Sequence, residues 1–358
     1  EVGRTVLVEN PSATTEGSQD WLRTPGTFSG TDTTGQTLGG AVKADLTVTF
    51  VALKQGLFTA DGPDRSGEIL FEDLDLDPKL QTEAPASARL LESLRGLPQR
   101  PLSSHKGMNG HVLVVGGNHG FSGAPRLSGE AALRVGAGLV SIAARPPEVF
   151  GMNLSRPELM CHSMDSPAQL QPLIDEATII AIGPGLGQDA WAEALFQTVL
   201  ESHKPLIVDA DALNLLAQNP QSRGDWVLTP HPGEAARLLK TETSSIQKNR
   251  FEAVSQLVKT YGGTHVLKGS GSLIQSGNQT PEICRHGNPG MASGGMGDVL
   301  TGVIAGLAAQ GLSLHEAARR GVQWHALAAD LAAEEGQRGL IASDLMPHLR
   351  HLVNHGSP

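Results

Sequence analysis

A glycine-rich segment followed at once by an apolar run decides the fold: NPGMASGGMGDVLTGVIAGLAA, residues 288–309. The apolar residues of its second half fall on one helical face: Val299, Leu300, Val303, Ile304 and Leu307. The segment therefore predicts a loop that leads into a buried helix. Backbone N–H groups at the start of such a helix can bind the oxygens of a phosphate group. Asp298 is then either an acid beside a bound phosphate or only a helix cap, and the pattern by itself leaves both interpretations open.

Short apolar runs alternate with helical patterns in the rest of the chain from Pro101 onward. The runs typical of buried strands are 111–115, 138–143, 178–182, 205–208, 225–228 and 264–267. The helical patterns are 124–135, 190–200, 234–239, 245–261, 297–309 and 314–335. This alternation predicts an α/β fold with a mostly parallel sheet and helices on both of its faces.

Several of the predicted strands run directly into loops that carry glycine or polar residues. These loops are GPGLG (183–187), DADALN (209–214), TPHPGE (229–234) and KGSGS (268–272). Each loop alone is also typical of a turn, a helix cap or a solvated histidine. Because ligands of open α/β sheets bind at the carboxyl ends of the strands, the four loops and the glycine segment together favour a binding site at this edge.

Composition and missing motifs exclude several classes of protein. The 358 residues include 27 basic and 37 acidic side chains, and a net charge of −10 does not favour a nucleic-acid surface. Cys161 and Cys284 are too few for a disulfide framework, so a reducing, cytoplasmic location is expected. No apolar run is long enough to span a membrane. The Walker sequence, the dinucleotide fingerprint, the zinc-protease motif and the nucleophile turn of hydrolases are absent.

Three histidines near the carboxyl terminus have helical spacing: His348, His351 and His355. No cysteine or aspartate clusters with them in the sequence, so we interpret them as part of a solvated tail rather than as a metal site.

Residues 1–84 differ from the rest because they are rich in Thr, Gly and Asp. They hold one clear strand-like stretch, Ala44–Leu53, and residues 85–100 are interpreted as a short helix that ends in a proline-containing linker. The sequence has no initiator Met, which suggests that it begins inside a longer reading frame.

Ten ordered motifs resemble one family. Beyond the loops quoted above, they are SHKG (104–107), VVGG (114–117), SGA (122–124), GEAALRVGAGLV (129–140) and RPELM (156–160). Over residues 101–354 the chain resembles the ADP-dependent NAD(P)H-hydrate dehydratases, the carboxyl-terminal part of the bacterial bifunctional repair enzymes. The resemblance implies a ribokinase-like fold. It also implies dehydration of the S epimer of hydrated NADH or NADPH (NADHX or NADPHX), with ADP as co-substrate and Mg²⁺.

The resemblance assigns site residues as well. It implies that the nucleotide is bound by Lys268, Gly269, Ser270, Gly271, Ser272, Asn288, Pro289, Gly290, Met291, Ala292, Ser293, Gly294, Gly295, Met296 and Gly297. The hydrate site is implied to be lined by Ala124, Gly185, His231, Pro232, Gly233, Glu234, Ala235, Ala236, Arg237 and Asp298. Asp298 would be the catalytic residue that accepts the proton of the substrate hydroxyl, as the base of a sugar kinase does. No metal ligand is assigned.

The amino-terminal region resembles the end of the partner domain, the NAD(P)H-hydrate epimerase. Residues 41–62 and 67–76 are similar to its last strands, whereas Arg23–Gly35 departs from the acidic loop that the family places upstream. We therefore expect a partial Rossmann-like epimerase domain at 1–84, a linker at 85–100 and the dehydratase domain at 101–358. K⁺ is expected only if an epimerase site were complete, and we expect no interconversion of the R and S epimers by this chain.

Two other functions are compatible with parts of the pattern. A ribokinase-like small-molecule kinase would share the glycine loop and Asp298, but the 231–237 loop and SHKG resemble the dehydratases. A non-catalytic scaffold would be expected to lack Asp298. The expected partners are NADHX or NADPHX, ADP and further copies of the chain in a homo-oligomer, with no nucleic acid and no membrane.

Overall fold

The computed structural model describes residues 7–9, 31–37, 41–75 and 86–357, and they contain two β-sheets. The small sheet holds β1 (Leu7–Glu9), β2 (Leu46–Phe50) and β3 (Glu68–Glu72), with β2 in the middle. The large sheet has ten strands and carries every loop singled out in the sequence.

The large sheet is mostly parallel, as predicted. Its strands are β4 (Arg89–Leu90), β5 (His111–Val115), β6 (Leu139–Ala144), β7 (Met160–Ser163), β8 (Ile179–Ile182), β9 (Leu206–Val208), β10 (Trp226–Leu228), β11 (Thr264–Leu267), β12 (Ser272–Ser276) and β13 (Glu282–Cys284). Their spatial order is β4-β13-β12-β11-β10-β9-β8-β5-β6-β7. Only the β11–β12 and β12–β13 pairs are antiparallel. The six predicted strands are confirmed, and β7, β12 and β13 are strands that the apolar patterns did not indicate.

Twelve α-helices are present among the described residues. They are α1 (Gly62–Ser66), α2 (Gly123–Arg134), α3 (Pro146–Met152), α4 (Gln171–Glu176), α5 (Ala190–Glu201), α6 (Ala210–Gln218), α7 (Pro232–Leu238), α8 (Thr243–Lys248), α9 (Arg250–Tyr261), α10 (Met296–Ala309), α11 (Leu314–Ala332) and α12 (Leu345–His355). None of these helices has both the length and the apolar character needed to cross a membrane.

Alternate residues of the central strands enter two separate apolar cores. In β5, Val112 and Val114 belong to the core that also contains residues of α2, α10, α11 and α12, whereas Leu113 and Val115 belong to the core that contains residues of α4, α5, α6, α7 and α9. All four side chains are fully buried, because helices cover both faces of the sheet. The predicted α/β architecture with helices on both faces is confirmed.

One predicted helix is two helices in the structure. The pattern over 245–261 is interrupted at Asn249, whose backbone leaves the helical region at φ −147° and ψ 83°. The Asn249 side chain accepts a hydrogen bond from the Glu252 amide and so begins α9. Asparagine favours a helix cap over a helix interior for this reason.

The helix expected within 85–100 is wrong for the described part, residues 86–100. Arg89 and Leu90 form β4 and extend the large sheet beside β13. The Leu91 amide donates to the Ile283 carbonyl, and its side chain is buried in the core. Packing at the sheet edge thus overrides the local helical pattern.

In the amino-terminal region, β3 lies within 67–76, which the resemblance assigned to the last strands of the epimerase domain, whereas β1 was not indicated by the sequence. The predicted stretch 44–53 holds β2, which pairs with β1 on one side and with β3 on the other. Of the divergent loop Arg23–Gly35, residues 23–30 lie outside the described residues. In the described remainder, the Asp32 carboxylate accepts hydrogen bonds from the amides of Thr34 and Gln36 within a turn. The division of the chain at residues 84 and 100 stays a prediction.

Candidate active site

The quoted loops meet at one edge of the large sheet. Strands β8, β9, β10 and β11 are parallel neighbours, so the loops that follow them leave from the same end of the sheet. Helix α10 begins beside them, since a Cβ atom on Gly297 would lie 3.4 Å from Lys268 Nζ and 3.5 Å from Asp209 Oδ2. The glycine segment and KGSGS therefore belong to one site.

A buried ion pair forms the floor of this site. Lys268 Nζ donates to Asp209 Oδ1 at 2.7 Å, and Thr301 Oγ1 donates to Asp209 Oδ2 at 2.8 Å. The Asp209 side chain is only 2% exposed, while that of Lys268 is 19% exposed. Burial by itself would lower the pKa of Lys268, but Asp209 and Glu234 together hold it above its ordinary value. Lys268 is therefore a fixed cation at the end of β11.

Asp298 does not act as the cap of α10. It is the third residue of the helix, and the capping position is taken by Gly295 at φ 91°. The Asp298 carboxylate accepts no hydrogen bond from any residue that the structure describes, whereas its backbone carbonyl accepts one from Ser128 Oγ at 2.8 Å. The carboxylate is thus held at the sheet edge and remains available to a ligand.

Negative charge is in excess around Lys268. Burial raises the pKa of Asp298 to about 7, with a further contribution from the charge of Asp209 that Lys268 partly offsets. Burial also raises the pKa of Glu234 to about 7, against the opposing charge of Lys268, whose Nζ lies 3.7 Å from Glu234 Oε2. A carboxyl group with such a pKa can both accept and release a proton near neutral pH.

His231 and Glu234 hold each other at the start of α7. The amides of Gly233 and Glu234 donate to His231 Nδ1, and the His231 amide donates to Glu234 Oε2 at 2.7 Å. Burial and the charges of Lys268 and Arg237 lower the pKa of His231, so its ring is neutral. This histidine is therefore a helix cap as well as a candidate for substrate contact, and Arg237 is hydrogen-bonded to Asn214.

Ala124 and Gly185 come together on the side of β5 and β8. A Cβ atom on Gly185 would lie 3.3 Å from Ala124 Cβ and 2.7 Å from Phe121 Cβ. The Phe121 ring is exposed beside them. These contacts bring together Ala124 and Gly185, both of which the resemblance places in the hydrate site, and they add Phe121 as a neighbour that the sequence did not indicate.

The first half of the glycine segment, residues 288–293, packs against α11 and the residues that follow it. Asn288 Nδ2 and the Gly287 amide donate to the two oxygens of Asp330, and Ser293 Oγ donates to the Leu340 carbonyl. Gly294 has open space where a Cβ atom would be. The contacts of residues 288–293 are thus with α11 and the segment that follows it, while Gly297 and Asp298 face Lys268.

The sequence pointed to Asp209 only as one of two strand-end carboxylates, and it gave no sign of Thr301. Thr301 lies within an apolar helical run, and a single threonine there does not indicate a site residue unless its hydrogen-bond partner is known. Its hydroxyl is fully buried and bonded to Asp209. The sequence analysis also missed Arg250, which is buried next to KGSGS. An arginine in a helical pattern gives no sign that its partners lie in a loop distant in the sequence.

The sequence and the fold were also compared with known proteins. Residues 112–350 match the family model described as NAD(P)H-hydrate dehydratase. The chain belongs to the NAD(P)H-hydrate dehydratase family.

Members of this family and their solved structures are similar over most of the chain. The bifunctional NAD(P)H-hydrate repair enzyme Nnr of Coxiella burnetii is 52% identical over 325 residues, which are 89% of this chain and 66% of that protein. This chain thus spans slightly less than two thirds of the length of that relative.

Two crystal structures share the ribokinase-like fold. The ADP/ATP-dependent NAD(P)H-hydrate dehydratase of Bacillus subtilis, co-crystallised with ATP and Mg²⁺, has a TM-score of 0.65 and 30% identity over 72% of this chain and 93% of that one. A ribokinase-like superfamily protein of Enterococcus faecalis has a TM-score of 0.68 and 31% identity over 75% of this chain and 95% of that one. The ribokinase-like fold predicted from the motifs is confirmed.

Proposed function

We propose that this chain dehydrates the S epimer of NADHX or NADPHX back to NADH or NADPH, with conversion of ADP to AMP and phosphate. The observation that carries the proposal is the Asp298 carboxylate, which accepts no hydrogen bond from the described residues and interacts electrostatically with the Lys268 ammonium beside the start of α10. A base beside a fixed cation at a helix start is the arrangement that phosphoryl transfer to a hydroxyl requires.

The hydroxyl of the hydrated nicotinamide ring is a poor leaving group, and phosphorylation would make it a good one. Asp298 would accept the hydroxyl proton while the oxygen attacks the β-phosphorus of ADP and the bond to AMP breaks. The nitrogen lone pair of the ring would then expel the phosphate and leave an iminium ion. This ion loses the proton on the neighbouring ring carbon to water or to the departing phosphate, which restores the double bond of the reduced nicotinamide. Every atom of the added water leaves, with its oxygen in the phosphate.

Lys268 and the amides of the glycine segment would stabilise charge on the transferred phosphoryl group. Because Lys268 is already paired with Asp209, its ammonium is fixed in position before the nucleotide binds, and no reorganisation is needed during the reaction. In the proposal, the predicted nucleotide residues Gly269–Ser272 and Asn288–Met296 bind the nucleotide on the same side of the site as Lys268.

The residues of the site fit Mg²⁺ carried on the nucleotide. Three carboxylates, Asp209, Glu234 and Asp298, act on the single Lys268 ammonium. The pKa values of Glu234 and Asp298 are raised first by burial and further by the charge of Asp209. Mg²⁺ bound to phosphates needs only one or two protein carboxylates. Glu234 would contribute the protein carboxylate, because both oxygens of Asp209 are already bonded to Lys268 and Thr301. The ion would neutralise charge on the phosphate oxygens.

The substrate is proposed to bind between residues 231–237, at the start of α7, and the Ala124–Gly185 contact. Both lie at the ends of parallel strands on the edge that carries Asp298. Assembly into a homo-oligomer and a cytoplasmic location stay predictions, and K⁺ is expected only if an epimerase site were complete.

Recovery of reduced-nicotinamide absorbance from the hydrate tests the proposal directly. The protein would be mixed with NADHX and Mg²⁺, and with ADP, ATP or no nucleotide. We expect recovery with a nucleotide only, together with one phosphate released for each ring restored. A stable phosphorylated hydrate without recovery would instead identify a kinase, and no reaction in any mixture would contradict both functions.

A further inference from the structure

A segment of the amino-terminal region lies directly behind the KGSGS loop. The Ala60 amide donates to the Ser270 carbonyl at 3.2 Å. Thr59 Oγ1 lies 3.2 Å from the carbonyl oxygens of both Ser270 and Gly271, to which its single hydroxyl hydrogen can be donated. The segment Gln55–Asp61, here called the bracing segment, thus contacts the loop through main-chain and side-chain bonds.

The bracing segment lies too close to the loop for any side chain at position 271. A Cβ atom on Gly271 would lie 1.9 Å from the Phe58 carbonyl oxygen and 2.7 Å from Thr59 Cα. Gly271 also has φ +62°, a conformation that favours glycine. The glycine in this position is therefore explained by the bracing segment behind the loop.

A buried arginine joins the two parts. Arg250 Nε donates to Thr59 Oγ1 at 3.0 Å, and Arg250 Nη2 donates to the carbonyls of Leu267 at 3.1 Å and Gly271 at 3.3 Å. Burial lowers the pKa of Arg250 to about 10, so the guanidinium stays charged at neutral pH. The Thr59 hydroxyl thus accepts from Arg250 and donates to the loop, which leaves it no freedom to rotate.

The bracing segment is itself anchored in the core of the large sheet. Leu57 and Phe58 are buried in the same apolar core as Leu267 and Leu273, which flank the loop on β11 and β12. Thr59 is completely buried. The loop is consequently held between the end of β11 and the bracing segment, both of which are anchored in this core.

We propose that Thr59 is a positioning residue for nucleotide binding, acting through Arg250 and the carbonyls of Ser270 and Gly271. The inference rests on the proposed function in one respect, the assignment of the KGSGS loop to the nucleotide. It makes the amino-terminal region a working part of the dehydratase site, whatever chemistry that region performs itself. By linkage, a nucleotide that orders the loop must also stabilise the bracing segment.

Four variants of the full chain test the proposal by titration calorimetry with ADP and Mg²⁺. Thr59→Val keeps the shape of the side chain but removes its hydroxyl, and we expect the Kd for ADP to rise about three- to tenfold, as for a lost hydrogen bond. Thr59→Ser restores the hydroxyl and should bind ADP as the unchanged protein does. Thr47→Val is the matched control, because it removes another buried hydroxyl of the same region, bonded to the Ser66 carbonyl at 2.6 Å.

Lys268→Ala separates this inference from the proposed function. If Lys268→Ala weakens ADP binding and Thr59→Val does not, the nucleotide site stands and the positioning role of Thr59 is wrong. If Lys268→Ala leaves ADP binding unchanged, the nucleotide is not bound at this loop and the proposed function fails with it. An equal loss in Thr47→Val and Thr59→Val would also overturn the positioning role, because the effect would then be general destabilisation.

Hydrogen exchange on the unchanged protein covers the case in which Thr59→Val does not fold. We expect ADP to slow exchange of the Ala60 amide as well as the amides of residues 268–272. Slower exchange in the loop alone would contradict the proposal.

Discussion

Asp298 is the residue on which the proposed chemistry depends. The sequence left open whether it was a base or a helix cap, and the structure favours the base because Gly295 occupies the capping position. We expect Asp298→Asn to reduce turnover by about 100-fold or more, since the amide cannot accept the hydroxyl proton. ADP affinity, measured by calorimetry, should change little because the glycine segment remains. Turnover near that of the unchanged protein would mean that Asp298 is not the base.

The pH dependence of kcat/KM follows from the raised pKa of Asp298. A base must be deprotonated to act, and its pKa is about 7, so kcat/KM should fall about tenfold for each unit of pH below 7 and level off above it. Asp209→Asn should move this acid limb to lower pH, because it removes a negative charge and leaves Lys268 less compensated. An acid limb near pH 4 in the unchanged protein would contradict the raised pKa.

His231 has two roles in the structure, and two variants separate them. His231→Ala should lose both the ring and the helix cap, at a cost of about 1 kcal/mol in stability. His231→Asn should keep the cap, since asparagine is a good capping residue, and lose only the ring. We expect both variants to raise the KM for the hydrate more than that for ADP. An effect confined to ADP would show that the two halves of the cleft are assigned the wrong way round.

Helices α2 and α10 cross at a close contact that sets the position of Asp298. A Cβ atom on Gly302 would lie 2.0 Å from the Ser128 carbonyl oxygen, and the Ser128 hydroxyl donates to the Asp298 carbonyl. We expect Gly302→Ala to lower the free energy of unfolding by about 1–3 kcal/mol in urea titrations, because overpacking outweighs the better helix propensity of alanine.

Gly151→Ala is the control for that prediction. Gly151 also lies in a helix, α3, and has open space where a Cβ atom would be. Its replacement should be neutral or stabilise by up to about 1 kcal/mol. Equal destabilisation by both substitutions would mean that the α2–α10 contact is not the cause.

The sequence predicted best the strands that are buried on both faces of the sheet, because burial on both faces requires nearly every residue to be apolar. All six predicted strands of this kind are present, since a fully buried strand leaves a continuous apolar run. Strands β7, β12 and β13 are shorter in apolar length or carry polar residues, as in MCHS and SLIQS. The 85–100 segment failed for the opposite reason, because its extended form depends on pairing with β13, which no local pattern reports.

The motifs predicted that the strand-end loops meet, but they could not show which residues distant in the sequence contact those loops in the folded molecule. Loops from separate strands were expected at one edge, and Lys268, Asp209, Glu234 and Asp298 do act on one another there. The contacts of Thr301 and Arg250, by contrast, exist only once distant parts of the chain are folded together. Thr59 was not foreseen at all, because it belongs to the region assigned to a different domain.

The fate of the hydroxyl oxygen tests the central claim most directly. NADHX prepared in water enriched in oxygen-18 carries the label on the hydroxyl of the ring, and the protein would be given this substrate with ADP and Mg²⁺. If the hydroxyl is phosphorylated before it leaves, the label must appear in the released phosphate, and this is the result we predict. Label found in water would contradict phosphorylation of the hydroxyl, and label retained in a stable phosphorylated hydrate would show that the chain is a kinase.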